Sequence, residues 1–204
     1  MSFYSIADFI KEFYPQYYGY STYPKSECVV VHKVAEEWGV FSNFAPTPIV
    51  IDGVCFKSSE HLFQMMKFQD ATVVLNIMNG VTQNGKRCYQ IKMTVMSFEK
   101  GHRSAVWGSM IVDAMKFCLV KKYEQSPEFR EKLEASKGRF IVEDLTAMPK
   151  KSPGAWGVKS VGDDFVGPNL LGRLLMELRD QGTLEYHLPA DALDFITVLK
   201  NETK

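Results

Sequence analysis

The pattern of apolar and polar positions from residue 58 to residue 68 predicts a helix that is buried on almost every side. A serine can cap it, and neither Gly nor Pro occurs in the positions that follow. Glu60, Gln64 and Lys67 stand at i, i+4 and i+7 and share one face, while apolar residues cover most of the remaining circumference. A buried polar face is costly, so it predicts a cavity with a function. A solvated helix edge is the alternative.

Similar reasoning predicts the elements around this helix. Residues 48–51 and 54–57 flank Asp52-Gly53, a strong signal for a two-residue hairpin that leads into the helix. The hairpin and a strand at residues 139–143 are expected to form one small sheet. The predicted fold class is therefore α+β, a single, mainly helical domain around a small β-sheet. Further helices are predicted at residues 5–13, 72–78, 103–123, 126–138, 169–182 and 189–199, and a further strand at residues 28–34.

The composition is that of a globular protein without a dominant charge. The 204 residues are 46% apolar, enough for a proper core, and 24 basic residues balance 24 acidic ones. No global field therefore favours tight, nonspecific binding to DNA or to an anionic membrane. No charged and apolar leader opens the chain, and no apolar run approaches the roughly 18 residues that span a bilayer, so we expect a cytoplasmic protein.

The cysteines are spaced too widely to suggest a metal site or a redox pair. Cys28, Cys55, Cys88 and Cys118 form no CxxC motif and no cluster with the four histidines, and their neighbours are apolar. We therefore expect reduced core residues, no bound metal, no cofactor, and an activity that survives excess chelator.

A series of short motifs runs in a fixed order from residue 38 to about residue 180. Trp38-Gly39-Val40-Phe41-Ser42-Asn43-Phe44 comes first, followed by the hairpin and the Glu60 helix. The later motifs are Trp107 eight residues before Met115, Lys122-Tyr123-Glu124-Gln125, Phe140-Ile141-Val142-Glu143, Trp156-Gly157, and Gly167-Pro168-Asn169-Leu170-Leu171-Gly172-Arg173. Together they resemble the NADAR family of YbiA-like N-glycosidases.

The resemblance divides the chain into three parts. It implies a YbiA-like domain at residues 36–181, an N-terminal extension at 1–35 and a C-terminal helical extension at 182–204. The tyrosine-rich segment 14–23 lies outside the resemblance. We expect it to pack as an apron on the domain, and a surface for a partner is the alternative.

The resemblance implies a hydrolase that cleaves the N-glycosidic bond between ribose and a base in phosphorylated ribosides. The implied reactions are removal of ADP-ribose from ADP-ribosylated guanine and hydrolysis of riboflavin-pathway ribosylamino-pyrimidine phosphates. The expected partner is therefore a small molecule that contains ADP-ribose or ribose phosphate. ADP-ribosylated guanine in DNA or RNA is a further candidate, and no membrane partner is expected.

The same resemblance suggests catalytic roles for Glu60 and Lys67. Positive charge builds on the anomeric carbon as the leaving group departs, and the Glu60 carboxylate can stabilise this charge or activate a water. The Lys67 amine can attack the opened sugar and form a Schiff base, which requires a lowered pKa. Burial would lower this pKa, whereas a close Glu60 would raise it and make Lys67 an ion-pair partner that positions the carboxylate.

Ten further residues are candidates for substrate binding. His61 and Gln64 would hydrogen-bond ribose hydroxyls or the base, Trp156 would stack on the base from a mobile loop, and Lys86 would contact a phosphate. Structural alternatives stay open, because residues 42–44 can form an ordinary Asx turn, Lys86 can lie in a solvated turn, and Trp107 can belong to the core. The full set is Ser42, Asn43, Phe44, His61, Gln64, Lys86, Trp107, Trp156, Gly157 and Asn169.

Two positions depart from the family pattern. Pro153 stands where the family usually has an Asp, and Val158 stands where it has a Gly. A carboxylate from elsewhere could replace the missing one, and the candidates are Asp144, Asp163 and Asp164. The alternative function is a noncatalytic module that binds ADP-ribose or NAD without cleaving it. Pure scaffolding is a third reading, and it requires that the polar face of the 58–68 helix be exposed to solvent.

Overall fold

The computed structural model describes residues 5–82, 95, 104, 106–148 and 154–202. Helices and strands both contribute, which confirms the predicted α+β class. In chain order the elements are α1 (Ile6–Phe13), β1 (Ser21–Pro24), β2 (Cys28–Val31), β3 (Ile49–Ile51), β4 (Val54–Phe56), α2 (Ser59–Met65), α3 (Ala71–Thr82), α4 (Trp107–Gln125), α5 (Pro127–Ala135), β5 (Phe140–Glu143), β6 (Lys159–Val161), β7 (Asp164–Gly167), α6 (Leu170–Gln181) and α7 (Asp194–Glu202), with short 3-10 turns at Pro15–Tyr17, Lys25–Glu27 and Gly39–Phe41.

The chain divides into two compact units. Unit 1 comprises Met1–Ser42 and Ser126–Leu184, and unit 2 comprises Asn43–Gln125 and Glu185–Lys204. Unit 1 therefore contains α1, α5 and α6 with five of the strands, and unit 2 contains the β3–β4 hairpin with α2, α3, α4 and α7.

The described strands form three small sheets, whereas the sequence predicted one. In unit 1, β1, β7 and β6 form an antiparallel sheet, and β2 pairs in parallel with β5 from Cys28↔Phe140 to Val31↔Glu143. The expected pairing of the 139–143 strand with the hairpin is therefore wrong. Strands β2 and β5 are short apolar runs with little alternation, which is typical of a buried parallel pair.

In unit 2 the hairpin forms as predicted. Strands β3 and β4 pair antiparallel with Ile51 opposite Val54, so that only Asp52 and Gly53 make the turn. Both turn residues have positive φ, 49° and 86°, which is the type I′ geometry that matches the twist of the flanking strands. The hairpin leads directly into α2.

Several helix boundaries follow the expected caps. Ser5 and Asp8 form a capping box at α1, and the Ser126 hydroxyl accepts a hydrogen bond from the Phe129 amide at the start of α5. Gly182, at φ 75°, closes α6. Other boundaries differ from the prediction. Helix α2 ends at Met65 instead of residue 68, α3 at Thr82 instead of residue 78, and α5 at Ala135 instead of residue 138. Helix α4 begins at Trp107 instead of residue 103, and α7 begins at Asp194 instead of residue 189.

Apolar cores form within each unit. In unit 1 a cluster joins Tyr23, Cys28, Val142, Val158 and Phe165. In unit 2 the predicted stripe of α4 is confirmed, because the side chains at positions 107, 111, 115 and 118 are all buried.

The cysteine prediction holds for two of the three described cysteines. Cys28 and Cys118 are buried thiols, but Cys55 is exposed, because it occupies the outward position of β4 between Val54 and Phe56. Cys88 lies outside the described residues. Within the described part of the chain, no helix is long and apolar enough to cross a membrane.

Candidate functional site

The short helix α2 is buried along its whole length in unit 2. The Ser58 hydroxyl accepts a hydrogen bond from the His61 amide, and every residue from Ser59 to Met65 is buried. The hairpin supports the helix start, because the backbone N–H of Lys57 donates to His61 Nδ1 at 3.1 Å. The predicted burial of this helix is therefore confirmed.

Glu60 and Gln64 form a direct hydrogen bond on this helix. Glu60 is 5% exposed and Gln64 is 2% exposed, and Gln64 Nε2 donates to Glu60 Oε1 at 2.7 Å. The pKa of the Cys118 thiol on α4 is raised well above the ordinary value, chiefly by burial and then by the negative charge of the same Glu60 carboxylate. Because the polar face is buried, the scaffolding reading, which required exposure, does not hold.

Lys67 lies in the turn after α2 and not on the helix itself. Its amide donates to the Gln64 carbonyl at 3.3 Å, and its carbonyl accepts from the Ser104 amide at 2.9 Å. The side chain is 9% exposed, and its Nζ lies 5.6 Å from the centroid of the Trp107 ring. This cation–π contact stabilises the ammonium form of the amine.

Trp107 belongs to the core and also contacts a candidate catalytic residue. It is 2% exposed and makes an edge-to-face contact with Phe63, with 5.0 Å between ring centroids. The sequence left the core and the cavity as alternatives for Trp107. The structure shows a core position whose ring faces the Lys67 amine.

His61 is held as a neutral side chain. Burial, followed by the charge of Lys57, lowers the pKa of His61 to about 4. Since Nδ1 accepts the Lys57 amide, the proton of the neutral ring is assigned to Nε2. The ring packs edge-on against Phe56 with 5.5 Å between centroids. His61 can therefore donate a hydrogen bond near neutral pH, but it cannot supply a readily transferred proton.

Two buried polar atoms of α2 have no partner among the described residues. They are His61 Nε2, a donor, and Gln64 Oε1, an acceptor. Buried polar groups are almost always hydrogen-bonded to protein, ligand or water. These two atoms are thus the hydrogen-bonding positions that the described residues leave unsatisfied on α2.

Asn43 holds the start of α2 through its backbone and its side chain. Its carbonyl accepts from the Glu60 amide at 2.9 Å, which satisfies an amide that the helix cannot pair internally. Its Oδ1 accepts from the Ser59 hydroxyl at 3.1 Å, and its Nδ2 donates to Met115 Sδ at 3.3 Å. Phe44, the next residue, is half-buried. The hydrogen bond from Ser59 to Asn43 was not predicted, although the Ser58-Ser59 pair is a visible feature of the sequence.

The other described candidates belong to unit 1. They are Ser42, which is buried, Trp156, which is half-buried, Gly157 and Asn169. The side chain of Asn169 is fully buried and bridges the backbone of β5: Nδ2 donates to the Ile141 carbonyl at 2.8 Å, and Oδ1 accepts from the Glu143 amide at 3.1 Å. The Asn169 side chain therefore connects the start of α6 to the backbone of β5.

The segment that carries Trp156 is hydrogen-bonded to the start of α6. The carbonyls of Ala155, Trp156 and Gly157 accept from the amides of residues 170, 171 and 169 at 3.1 Å each. The first amides of α6 lack partners within their own helix, so these carbonyls replace a side-chain cap. A Cβ on Gly157 would lie 2.4 Å from the Glu143 carbonyl oxygen, so only glycine fits there.

The departures from the family pattern have a partial structural explanation. Val158 is fully buried in the core of unit 1, and its backbone bonds both Glu143 and Leu145. Asp144 Oδ1 accepts from the Thr146 amide at 2.8 Å and from the Thr146 hydroxyl, which closes a local turn. Asp163 lies in the turn between β6 and β7, and Asp164 is the first residue of β7. Pro153 and Lys86 lie outside the described residues.

The chain belongs to the NADAR family, because the model of the NADAR domain matches residues 30–181. N-glycosidase YbiA of Escherichia coli is 31% identical over 157 residues, which cover 76% of this chain and 88% of that protein. Riboflavin biosynthesis protein VVA0006 of Vibrio vulnificus is 26% identical over 169 residues, 83% of this chain. The chain spans only 42% of the length of that Vibrio protein.

The fold agrees with a solved structure from the same family. The NMR structure of E. coli YbiA matches with a TM-score of 0.58 and 29% sequence identity, and the match covers 80% of this chain and 90% of that one. The predicted family and YbiA-like fold are confirmed. The matched range leaves both ends of the chain, residues 1–29 and 182–204, outside the family domain.

Proposed function

We propose that this chain is an N-glycosidase that hydrolyses the bond between ribose and a base in a phosphorylated riboside. The observation that carries the proposal is the buried Glu60–Gln64 pair on α2, inside the range that matches the NADAR domain. The relatives named N-glycosidase YbiA support the general class of reaction. A carboxylate in a site of low dielectric stabilises a developing positive charge more strongly than one in water does.

The proposed substrates fall into two classes. One is ADP-ribosylated guanine, as a nucleoside or within DNA or RNA, from which the chain would remove ADP-ribose. The other is a ribosylamino-pyrimidine phosphate of riboflavin synthesis, and the name of the Vibrio relative supports this class. Both contain a phosphorylated ribose, and in both the bond that breaks joins its anomeric carbon to nitrogen.

In the proposed mechanism, Glu60 acts where positive charge develops. The C1′–N bond breaks and its electron pair leaves with the base nitrogen, so that C1′ becomes oxocarbenium-like. A water then adds its hydroxyl to C1′ as its proton passes to the Glu60 carboxylate. Glu60 then gives this proton to the nitrogen of the departed base, which completes the free base and restores the carboxylate. Gln64 donates a 2.7 Å hydrogen bond to one oxygen of this carboxylate and so fixes the orientation of the group. His61 Nε2–H and Gln64 Oε1 are the atoms proposed to bind the ribose or the base.

Lys67 has two candidate roles. As a nucleophile, its neutral amine would form a Schiff base with the opened sugar. As a fixed cation, it would balance the Glu60 charge and bind an anionic part of the substrate. Its burial favours the first role, whereas its contact with the Trp107 ring favours the charged form.

Release of the free base tests the function directly. The protein is incubated with an ADP-ribosyl-guanosine, an ADP-ribosylated oligonucleotide and a ribosylamino-pyrimidine phosphate, and the base is followed by chromatography. Glu60→Gln is expected to lower kcat by about a hundredfold or more and to leave binding largely intact. Glu128→Gln, the same change at an exposed position of α5, is the matched control. A near-normal kcat with a raised KM would instead give Glu60 a binding role.

A noncatalytic module for ADP-ribose or NAD is the second candidate function. The observation in its favour is the pair of departures from the family pattern, Pro153 and Val158. This module would return its ADP-ribosylated ligand intact after long incubation, whereas the enzyme would release free base.

A further inference from the structure

A cavity of about 190 Å³ lies in unit 1, between the N-terminal extension and the segment that precedes Trp156. Its lining includes Ala7 and Ile10 of α1, the tyrosines 17, 18 and 20, and Ala155. We call it the tyrosine pocket. The part of the lining from residue 7 to residue 20 precedes the range that matches the NADAR domain, so the pocket is built in part by the extension.

The floor of the tyrosine pocket is fixed by bonds to α6. The Tyr17 hydroxyl donates to Glu177 Oε2 at 2.6 Å, and the Arg173 guanidinium donates to the carbonyls of Gln16 and Tyr17 at 2.7 and 3.1 Å. The same guanidinium lies 5.5 Å from the centroid of the Tyr17 ring. Ala155, another lining residue, is held as well, because its carbonyl accepts from the Leu170 amide at 3.1 Å. The pocket is therefore formed before any ligand arrives.

The rim of the pocket presents large aromatic side chains to solvent. Tyr18 is 52% exposed and Tyr20 is 63% exposed, while Ile10 and Ala155 inside are buried. Gly19 separates the two tyrosines at φ 111°, a conformation that other residues rarely adopt. Exposed tyrosines around an apolar cavity provide flat stacking surfaces that a ligand can bury at a small entropic cost.

The volume and the lining together define the class of ligand. An apolar cavity of about 150 Å³ accepts benzene, and pockets for whole drug-sized molecules begin at about 300 Å³. The tyrosine pocket therefore has room for a ring system but not for a complete nucleotide. The aromatic lining favours a planar ring over an aliphatic group.

We propose that the tyrosine pocket binds the planar heteroaromatic ring of a nucleotide, with the sugar and phosphate outside the cavity. Lys11 supplies positive charge at the rim, since its Nζ lies 5.8 Å from the centroid of the Tyr18 ring. The neighbouring carboxylate of Asp8 is already engaged in the capping box with Ser5. This site uses no residue of α2, so it goes beyond the proposed hydrolase activity.

Calorimetric titration of the purified chain with AMP, and with ribose 5-phosphate as the ligand that lacks a ring, tests the proposal. AMP is expected to bind, and the heat given by ribose 5-phosphate should stay the same in the pocket variants described below. Tyr18→Ala and Tyr20→Ala should each weaken AMP binding about tenfold, the usual loss when a stacking partner of a base is removed. Phe13→Ala is the matched control, because Phe13 is an exposed aromatic residue of the same extension that does not line the pocket.

A further variant is expected to block the pocket and still fold. Ala7 lines the pocket from the exposed side of α1, so Ala7→Leu fills the cavity and keeps a good helix former. We expect at least a tenfold weaker AMP affinity in Ala7→Leu and an unchanged affinity in Glu128→Gln, an exposed change outside both proposed sites. The proposal is overturned if AMP gives no heat at millimolar concentration, or if Ala7→Leu and the tyrosine variants bind AMP as the wild type does. Failure of the hydrolase proposal would leave these heats unchanged.

Discussion

The side-chain amide of Gln64 has only one orientation that suits its surroundings. Its NH₂ group donates to Glu60 Oε1, so its carbonyl oxygen must point to the other side, where no described residue pairs with it. A carboxylate that accepts a hydrogen bond from a buried amide is held in one orientation. The pair thus presents a negative charge and an acceptor next to each other, which suits a ribose whose hydroxyls donate and whose anomeric carbon becomes positive.

The role of Lys67 is decided by chemical trapping. If its amine is the nucleophile, borohydride added during turnover reduces the imine and leaves the sugar attached to the peptide that contains Lys67. Peptide mass spectrometry detects this adduct. Lys67→Arg cannot form it, because guanidinium remains protonated, although it preserves the charge above the Trp107 ring. We therefore expect an adduct in the wild type and, in Lys67→Arg, neither adduct nor substantial activity.

The fixed-cation role of Lys67 predicts the reverse pair of results. It gives no trapped adduct with the wild type and substantial activity in Lys67→Arg. Lys121→Arg is a suitable control, because Lys121 is paired with Glu124 on the surface of α4. This outcome would end the covalent hypothesis and leave attack of water assisted by Glu60.

His61 is expected to make stability depend on pH. Its pKa is about 4 in the folded protein and about 6.5 when unfolded. Between these values the unfolded chain binds the extra proton, so the contribution of His61 to stability is present above pH 6.5 and is lost as the pH falls towards 4. From pH 7 to pH 5 this loss amounts to on the order of 2 kcal/mol.

Urea unfolding of the wild type and of His61→Asn at pH 7 and pH 5 measures this contribution. The Asn side chain can still accept the Lys57 amide but does not titrate, so the variant should lose less stability over the same interval. His61→Gln serves as a second nontitrating variant. Equal losses in all three proteins would show that burial does not hold His61 neutral.

At the scale of elements, the segment after Leu184 supports the helix that carries Glu60. Phe195 of α7 is 1% exposed and packs edge-on against Phe56, the residue that also contacts His61. Gln69, two residues after Lys67, donates to Asp191 Oδ2 at 2.5 Å. The segment lies outside the matched NADAR range, so residues beyond the family domain support both ends of the region from Phe56 to Gln69.

Removal of the Phe195 ring should therefore weaken the protein and its activity together. Phe195→Ala is expected to lower the free energy of unfolding by about 3–5 kcal/mol, because it leaves a cavity against Phe56. The kcat should fall as α2 loses its support, and Phe195→Leu should restore much of both. Thr197→Ala, an exposed change on the same helix, should stay within about 0.5 kcal/mol of the wild type. A Phe195→Ala protein with unchanged stability would contradict this role for α7.

Elements with local signals were predictable from the sequence, and elements formed by distant pairing were not. The Asp52-Gly53 hairpin, the Ser5 and Ser126 caps and the Gly182 end each depend on a few adjacent residues, and the structure confirms all of them. Strands β1, β6 and β7 were missed. Each is only three or four residues long, and β6 has no buried residue, so no alternation marks it.

At the scale of the molecule, the candidate residues are shared between the two units. Unit 2 contains the α2 residues with Asn43, Phe44 and Trp107, and unit 1 contains Ser42, Trp156, Gly157 and Asn169. The buried face of α2 was predictable because helical spacing alone defines it. The structural use of Asn169 was not, because its partners on β5 lie 26 and 28 residues away in the sequence. Sequence spacing shows which residues can share a face. It does not show which polar side chains are already hydrogen-bonded to backbone groups elsewhere in the fold.

Substrate binding should stabilise the whole molecule, and the time course of that effect separates an enzyme from a binding module. A ligand at a hundred times its Kd raises the free energy of unfolding by about 2.7 kcal/mol. In Glu60→Gln, which is expected to bind without turnover, the melting temperature should rise with ADP-ribosyl-guanosine and stay raised for hours. In the wild type the rise should decay as the base is released, at the rate given by chromatography. If the wild type keeps its full stabilisation and the ligand is recovered intact, the chain is a binding module.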